Sequence, residues 1–210
     1  MFISFEGLDC SGKTTQFEKL AAYLKKAGYD VLCTREPGGV PIAERVRALL
    51  ADTNASEMTA ECEMLLFAAA RAQHVREKLL PALAAGKIVL CDRFVDSSVA
   101  YQGYGRGLGD VVRRINEAAT GGLMPEVTFL FDLTLEERAR RLFARGAADR
   151  LEAQDDPFHA RVRAGYLRIA QEAPERVHVL DASQCVDAIF EDILQVLKKH
   201  LPNTFFSSII

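Results

Sequence analysis

"GLDCSGKTT" occupies Gly7–Thr15, directly after the apolar run "MFISFE" and directly before a helical pattern that continues to Ala27. Gly7, Leu8, Asp9, Cys10, Ser11, Gly12, Lys13 and Thr14 fit G-x-x-x-x-G-K-[ST] at every defined position. Each residue type has a physical reason. Glycines let the backbone curl so that successive N–H groups point inward and form a nest for an anion. A helix starting near Lys13 adds the positive end of its dipole. The lysine reaches β- and γ-phosphates, and the Thr14 hydroxyl is a ligand for Mg²⁺. A chance match in a glycine-rich turn has no reason to fall between a strand and a helix, as this one does. The stretch therefore reads as a nucleotide phosphate loop that opens a βαβ unit.

Further along the chain, apolar runs bounded by turn residues predict strands at Phe2–Glu6, Tyr29–Thr34, Lys87–Cys91, Val127–Leu133 and Val177–Leu180. Helical patterns lie between them at Lys13–Ala27, Pro41–Ala51, Thr59–Ala85, Asp110–Ala119, Leu135–Arg145, Pro157–Glu172 and Val186–His200. Pro81 is expected to kink or break the third, because it lacks an N–H and clashes with the preceding turn. Runs such as "KIVLC" and "VTFLF" are apolar on both faces, as in a covered parallel sheet. The expectation is an α/β sandwich with five parallel strands and a ligand at their carboxyl ends.

The chain has 210 residues, 49% apolar and 26% charged, which suits one domain with a sizeable core. Its net charge of −3 argues against a protein that coats nucleic acid. No basic and apolar leader precedes the first strand, and no apolar run approaches the roughly 20 residues of a membrane span. A soluble, cytoplasmic protein with no membrane partner is expected. The five cysteines are scattered without a C-x-x-C pair, so most are read as small buried hydrophobes.

A phosphate loop alone does not name a reaction. The Asn-Lys-x-Asp signature of a GTPase and the L-S-G-G-Q run of a transporter ATPase are both absent. Three stretches point instead to a phosphoryl acceptor. "TREPGG", Thr34–Gly39, places Arg35 at a strand's carboxyl end before a rigid turn. "LLFAAARAQH", Leu65–His74, puts Phe67 and Arg71 four apart on one helix face, a plate and a guanidinium for a flat base; His74 is read as structural. "LCDRFVDSSVAYQG", Leu90–Gly103, ends a strand in Asp92, near the Mg²⁺ end of the loop. Arg93 and the polar group Asp96, Ser97, Ser98, Tyr101 and Gln102 follow, a poor core and a plausible binding surface. Asp132, at the end of "FLFD", is a rival to Asp92 that lacks such company.

With these stretches in this order, the chain resembles the thymidylate kinases over nearly its whole length, from "FEGLDCSGKTTQ" to "DRLE". The resemblance implies a single nucleoside monophosphate kinase domain over 1–210, with a lid at about 144–156. It implies γ-phosphoryl transfer from ATP to dTMP with Mg²⁺, in a homodimer. Gly7–Thr14 and Thr15 would hold ATP, with Thr14 and Asp92 near the metal, directly or through water. Asp9 would contact the acceptor or a metal-bound water. Arg35 and Arg93 would bind the dTMP phosphate, Phe67 would stack on thymine, and Arg71 would donate to a thymine carbonyl. Ser98 and Gln102 would lie near the base edge, and Tyr101 under the deoxyribose. Pro37 would follow a cis peptide bond.

Two positions depart from the pattern. Cys10 stands where some members carry an arginine, and it is read as a small tolerated residue. Phe94 stands where Tyr or His is common. The missing loop cation directs attention to Arg138, Arg140, Arg141, Arg145 and Arg150. Arg138 and Arg140 are read as solvated, whereas Arg145 and Arg150 are expected to act as lid arginines that meet the charge spread over the transferred phosphoryl group. A nucleoside kinase is the first rival, but it would want a carboxylate base and no pair of phosphate-binding arginines. A regulatory nucleotide-binding module is the second, and the intact Lys13, Thr14 and Asp92 argue against it.

Overall fold

The period-two alternation of Phe2–Gly7 sends Ile3 and Phe5 to one sheet face and Phe2, Ser4 and Glu6 to the other. Both sets are buried, so both faces must be covered. The computed structural model describes residues 1–146, 150–152 and 154–201. It has five parallel strands: β1 (Phe2–Gly7), β2 (Val31–Arg35), β3 (Ile88–Asp92), β4 (Val127–Asp132) and β5 (Val177–Asp181). Their spatial order is β2-β3-β1-β4-β5. The observed strands agree with the expected ones to within two residues at every end.

Helix α1 (Lys13–Lys26) and helix α9 (Val186–Leu197) cover the face that carries Ile3, Phe5, Leu90 and Phe129. The other face, carrying Phe2, Val89 and Leu130, is covered from α3 (Ala60–His74), the segment after β3, α6 (Val111–Thr120) and α8 (Asp156–Glu172). The chain leaves β1 toward one face and leaves the adjacent β3 toward the other. That divergence opens a crevice at the carboxyl ends of the two strands, the ordinary ligand position in such sheets. In register, Phe5 lies opposite Asp92, and Asp92 opposite Arg35, so the crevice is lined by charged strand ends.

The long helix expected over 59–85 is three pieces. α3 ends at His74, a wider π-turn spans Val75–Leu79, and α4 covers Leu80–Ala84. Leu80 N–H reaches back to the Val75 carbonyl, which leaves Pro81 in the first turn of α4 where its missing N–H costs nothing. A second π-turn, Val99–Gly105, follows the short helix α5 (Val95–Ser98). α2 (Pro41–Ala51) packs on α3, and α7 (Leu135–Arg145) precedes the expected lid. Within that lid, residues 147–149 and 153 lie outside the described residues, as does the tail 202–210.

Two expectations about the core are corrected. Of the five cysteines only Cys91 is buried; Cys10 and Cys33 are half-buried, and Cys62 and Cys185 are exposed. Asp96 is not part of a binding surface. It is buried and receives both terminal nitrogens of Arg176 at 2.6 and 3.0 Å, beside the Ser4–Thr128 hydroxyl pair at 2.8 Å. A charge so deep needs its partner, and that partner lies 80 residues away in sequence.

α8 crosses the second π-turn closely. A Cβ on Gly105 would lie 2.8 Å from Phe158 Cε2 and 2.8 Å from Val162 Cγ2, both buried. Gly105→Ala is therefore expected to lower stability by about 1–3 kcal/mol. Urea denaturation followed by circular dichroism measures it, and an unchanged midpoint would show that α8 can back away.

Candidate active site

The phosphate loop is held by a close approach of two strands. Gly7 has φ +135°, and a Cβ there would lie 2.5 Å from the Phe131 carbonyl oxygen of β4. Gly12 caps α1 at φ +88°, while Cys10 adopts the left-handed region at φ +64° without being glycine. Lys13 is buried and folds back on the loop, donating to the Leu8 carbonyl at 2.7 Å and the Gly7 carbonyl at 3.1 Å. Burial, reinforced by the nearby Arg93 charge, pulls the Lys13 ammonium down to about 8. Thr14 and Thr15 are exposed at the start of α1.

Arg93 joins the end of β3 to this loop. Its Nη2 donates to Asp9 Oδ1 at 2.6 Å, and its Nη1 donates to the Gly7 carbonyl at 2.9 Å. Tyr101 donates to the other Asp9 oxygen at 3.1 Å, and its ring centroid lies 5.4 Å from the Arg93 guanidinium carbon. Burial pushes the Asp9 carboxyl up, but the Arg93 and Lys13 charges outweigh it and hold it well below the usual carboxylate range. Behind them Glu6 is fully buried, accepting from Phe94 N–H at 2.7 Å and from the Ser97 and Tyr166 hydroxyls. Asp92 Oδ1 is buried without a hydrogen-bond partner among the described residues. Asp132, the rival carboxylate, is taken up by Arg163 at 2.7 and 2.8 Å.

The other end of the crevice is organised by Glu36, in the "TREPGG" turn. Its peptide bond to Pro37 is cis, as expected. Glu36 is buried and accepts from Arg71 Nε at 2.6 Å, and His74 Nδ1 sits 2.8 Å from its second oxygen. His74 also meets the Thr34 hydroxyl at 2.8 Å, the structural role expected of it. Arg71 Nη1 donates to Ser98 Oγ at 2.8 Å and to Asn116, and Nη2 donates to the Phe94 carbonyl at 2.9 Å. Four of the five guanidinium N–H groups are thus engaged, leaving one on Nη2. Gln102 donates to Glu63 at 2.9 Å, and Arg35, half-exposed, pairs with Glu44 at 2.9 Å. Phe67 is half-buried.

The arginines of α7 divide unexpectedly. Arg138, read as solvated, is buried, donating to the Glu152 carbonyl at 3.1 Å and lying 3.0 Å from His159 Nε2. Arg140 is exposed, as expected, and pairs with Glu137. Arg141 reaches the Cys10 carbonyl at 3.4 Å and the Ala182 carbonyl at 3.0 Å. Arg145 holds Glu152 with both terminal nitrogens, at 2.8 and 2.5 Å. Arg150 instead donates from Nε to the Leu50 carbonyl at 3.0 Å, with Nη2 at 2.8 Å from Glu63.

These groups enclose one pocket of about 490 Å³. Asp9, Cys10, Ser11, Gly12, Lys13, Thr14, Arg35, Phe67, Arg71, Asp92, Arg93, Ser98, Tyr101, Gln102 and Arg145 all line it. Gly7, Leu8 and Thr15 are not among its lining residues, and Arg150 is the one expected catalytic group that the structure does not bring to the pocket. Phosphate loop and acceptor-side residues therefore share a single cavity. The sequence model described as thymidylate kinase matches residues 5–193. A thymidylate kinase of Exiguobacterium sibiricum is 49% identical over 203 residues, covering 94% of this chain and 96% of the relative. The chain belongs to the thymidylate kinase family. Another family member, from a Thermoanaerobacter species, is 50% identical over 201 residues, covering 95% of this chain and 98% of that protein. The crystal structure of thymidylate kinase from Ehrlichia chaffeensis superposes with a TM-score of 0.77 at 37% identity, covering 94% of this chain and 98% of that one.

Several residues in the pocket or buried behind it escape a reading of motifs in this family. Glu36 was inside a quoted stretch but had no sequence partner to reveal it. The spacing puts Arg141 on one helix face with Arg138 and Arg145 but gives it no role of its own. Glu6 and Tyr166 carry no local signal, being 160 residues apart.

Because burial holds Lys13 near 8, an anion bound beside it should raise its pKa and draw in a proton. Sulfate, which does not titrate in this range, should stabilise the protein more at pH 7 than at pH 9.5. Its apparent affinity should fall by up to about tenfold per pH unit above the free lysine's pKa. Thermal midpoints against sulfate concentration test this, and pH-independent stabilisation would mean that Lys13 does not face the anion.

Proposed function

We propose that this protein transfers the γ-phosphoryl group of ATP to dTMP, giving dTDP. The observation that carries this reading is the single pocket in which a phosphate loop faces two strand-end arginines and an aromatic plate. Gly7–Thr15 would hold the ATP phosphates through loop N–H groups, with Lys13 exchanging its two loop carbonyls for phosphate oxygens. Arg35 and Arg93 would take the acceptor phosphate. Phe67 would stack on thymine, and the one uncommitted N–H of Arg71 would meet a thymine carbonyl. Ser98 and Gln102 would border the base edge, already oriented by Arg71 and Glu63. Tyr101 would lie under the deoxyribose, where a 2′-hydroxyl would crowd its ring.

The residues present fit Mg²⁺. Asp92 Oδ1 is a buried acceptor with no partner among the described residues, and Thr14 offers an exposed hydroxyl beside the loop. Few protein ligands plus phosphate oxygens is the usual arrangement for that ion. When bound, Mg²⁺ supplies neutralisation of the β- and γ-phosphate charge. The acceptor phosphate is already an anion at neutral pH, so no strong general base is required. What this chain contributes is alignment and positive charge: Lys13 and Arg93 at the reacting phosphates, with Asp9 fixing Arg93. Arg145 and Arg141, on one face of α7, would do what a cation at position 10 would otherwise do. Arg150 could join them only by leaving Glu63. Among the described residues no helix is long and apolar enough to cross a membrane, in keeping with a cytoplasmic placement. Exposed Ile42, Leu49 and Leu65 on α2 and α3 offer apolar surface for a homodimer.

ADP release with Mg-ATP, measured in parallel on dTMP, dUMP, thymidine and no acceptor, tests the reading. ADP should appear strongly with dTMP alone; turnover of thymidine but not dTMP would mean that Arg35 and Arg93 do not bind phosphate. Lys13→Met should lower kcat at least about 100-fold. Arg35→Ala should raise KM for dTMP about tenfold, with KM for ATP little changed.

A further inference from the structure

Arg93 is constrained at two levels, and both lead to one buried carboxylate. Its backbone is left-handed, φ +69°, a conformation that a non-glycine residue keeps only where its surroundings over-determine it. The next peptide N–H, of Phe94, donates to Glu6 Oε1 at 2.7 Å, and Arg93 N–H donates to the Phe5 carbonyl at 3.0 Å. The strand that carries Glu6 thus holds the bend. The side chain is fixed through hydroxyls. Ser97 donates to Glu6 Oε2 at 2.5 Å and Tyr166 donates to the same oxygen at 3.1 Å. Both hydroxyl oxygens lie 3.2 Å from Arg93 Nη1.

A hydroxyl has one proton to give. Burial pushes the Glu6 carboxyl up to about 7. Above that pH it only accepts, so the Ser97 proton points to it, the Tyr166 proton goes to it or to Ser97 Oγ 2.8 Å away, and the remaining lone pairs turn to Arg93. Nη1 is thereby saturated by Ser97, Tyr166 and the Gly7 carbonyl, and one Nη2 proton goes to Asp9. What remains without a partner among the described residues is Nε–H and the second Nη2 proton, on a residue that lines the pocket. We propose that Glu6 is a positioning residue that, through the Ser97 and Tyr166 hydroxyls and the Phe94 N–H, aims the free N–H groups of Arg93 at the acceptor phosphate. This rests on the reading of Arg93 as a ligand of that phosphate.

The test uses the full chain with Glu6→Gln, Tyr166→Phe and Ser97→Ala, each alone and combined with Arg93→Ala. Glu6→Gln keeps the volume but puts an N–H₂ against donors, which turns a hydroxyl proton toward Arg93. Each single variant should raise KM for dTMP about tenfold while KM for ATP stays within about twofold. In the Arg93→Ala background none should add a further loss, since all act through that side chain. Losses that multiply in that background, or KM values for ATP and dTMP that rise together, would overturn the inference. If Glu6→Gln does not fold, Tyr166→Phe, which keeps its ring, and Ser97→Ala give the same answer. Wild-type protein that leaves dTMP unphosphorylated would overturn the functional reading and this inference together; turnover with multiplying losses would overturn this inference alone.

Discussion

The Arg93–Asp9 ion pair holds the two halves of the pocket together. One partner follows β3 and the other lies in the loop after β1, the two strands from which the chain departs to opposite faces of the sheet. Both side chains are mostly buried, and a buried pair is stable only when its remaining donors and acceptors are satisfied. Here Tyr101 completes Asp9, while Ser97, Tyr166 and the Gly7 carbonyl complete one end of Arg93. The phosphate loop is therefore shaped by its neighbour strand as well as by its own glycines.

Around that pair the pocket carries a surplus of confined positive charge. Lys13, Arg71, Arg93, Arg141 and Arg145 all line it, and Lys13 is depressed by its burial first and by the nearby Arg93 charge second. A ligand bearing several phosphate charges offsets both. This is an electrostatic reason for the site to favour two phosphorylated molecules at once, and it does not depend on any single contact.

Three buried glutamates do the complementary work. Glu6 accepts from the Ser97 and Tyr166 hydroxyls that flank Arg93, Glu36 fixes Arg71 and His74, and Glu63 gathers Gln102, Arg106 and Arg150. Glu36 and Glu63 each bind a guanidinium in a defined orientation, which a planar fork of donors allows and an ammonium would not, whereas Glu6 reaches Arg93 only through hydroxyls. The two ends of the pocket are thus set by separate carboxylates. Glu63 also accounts for Arg150 lying outside the pocket, because a nearly inaccessible carboxylate competes strongly for any cation within reach.

The amino-acid sequence by itself determined the elements, the parallel sheet and most of the pocket. Strand runs covered on both faces, the spacing Gly7-x-x-x-x-Gly12-Lys13-Thr14, and polar residues placed just after β2 and β3 are local patterns, and local patterns survive in a linear reading. It did not determine which charges pair. Asp96 was mistaken for a surface group and Arg138 for a solvated one, while the hold of Glu63 on Arg150 and the meeting of Glu6 with Tyr166 were not seen. In each case the deciding partner comes from another element: Arg176, His159, Glu63 and Ser97. The division of the helix over 59–85 shows the same limit, since Pro81 announced a break but the π-turn that absorbs it lies at Val75–Leu79. Only the tertiary structure decides these matters, because a buried charge takes the partner that folding places beside it, and sequence spacing carries no record of that distance.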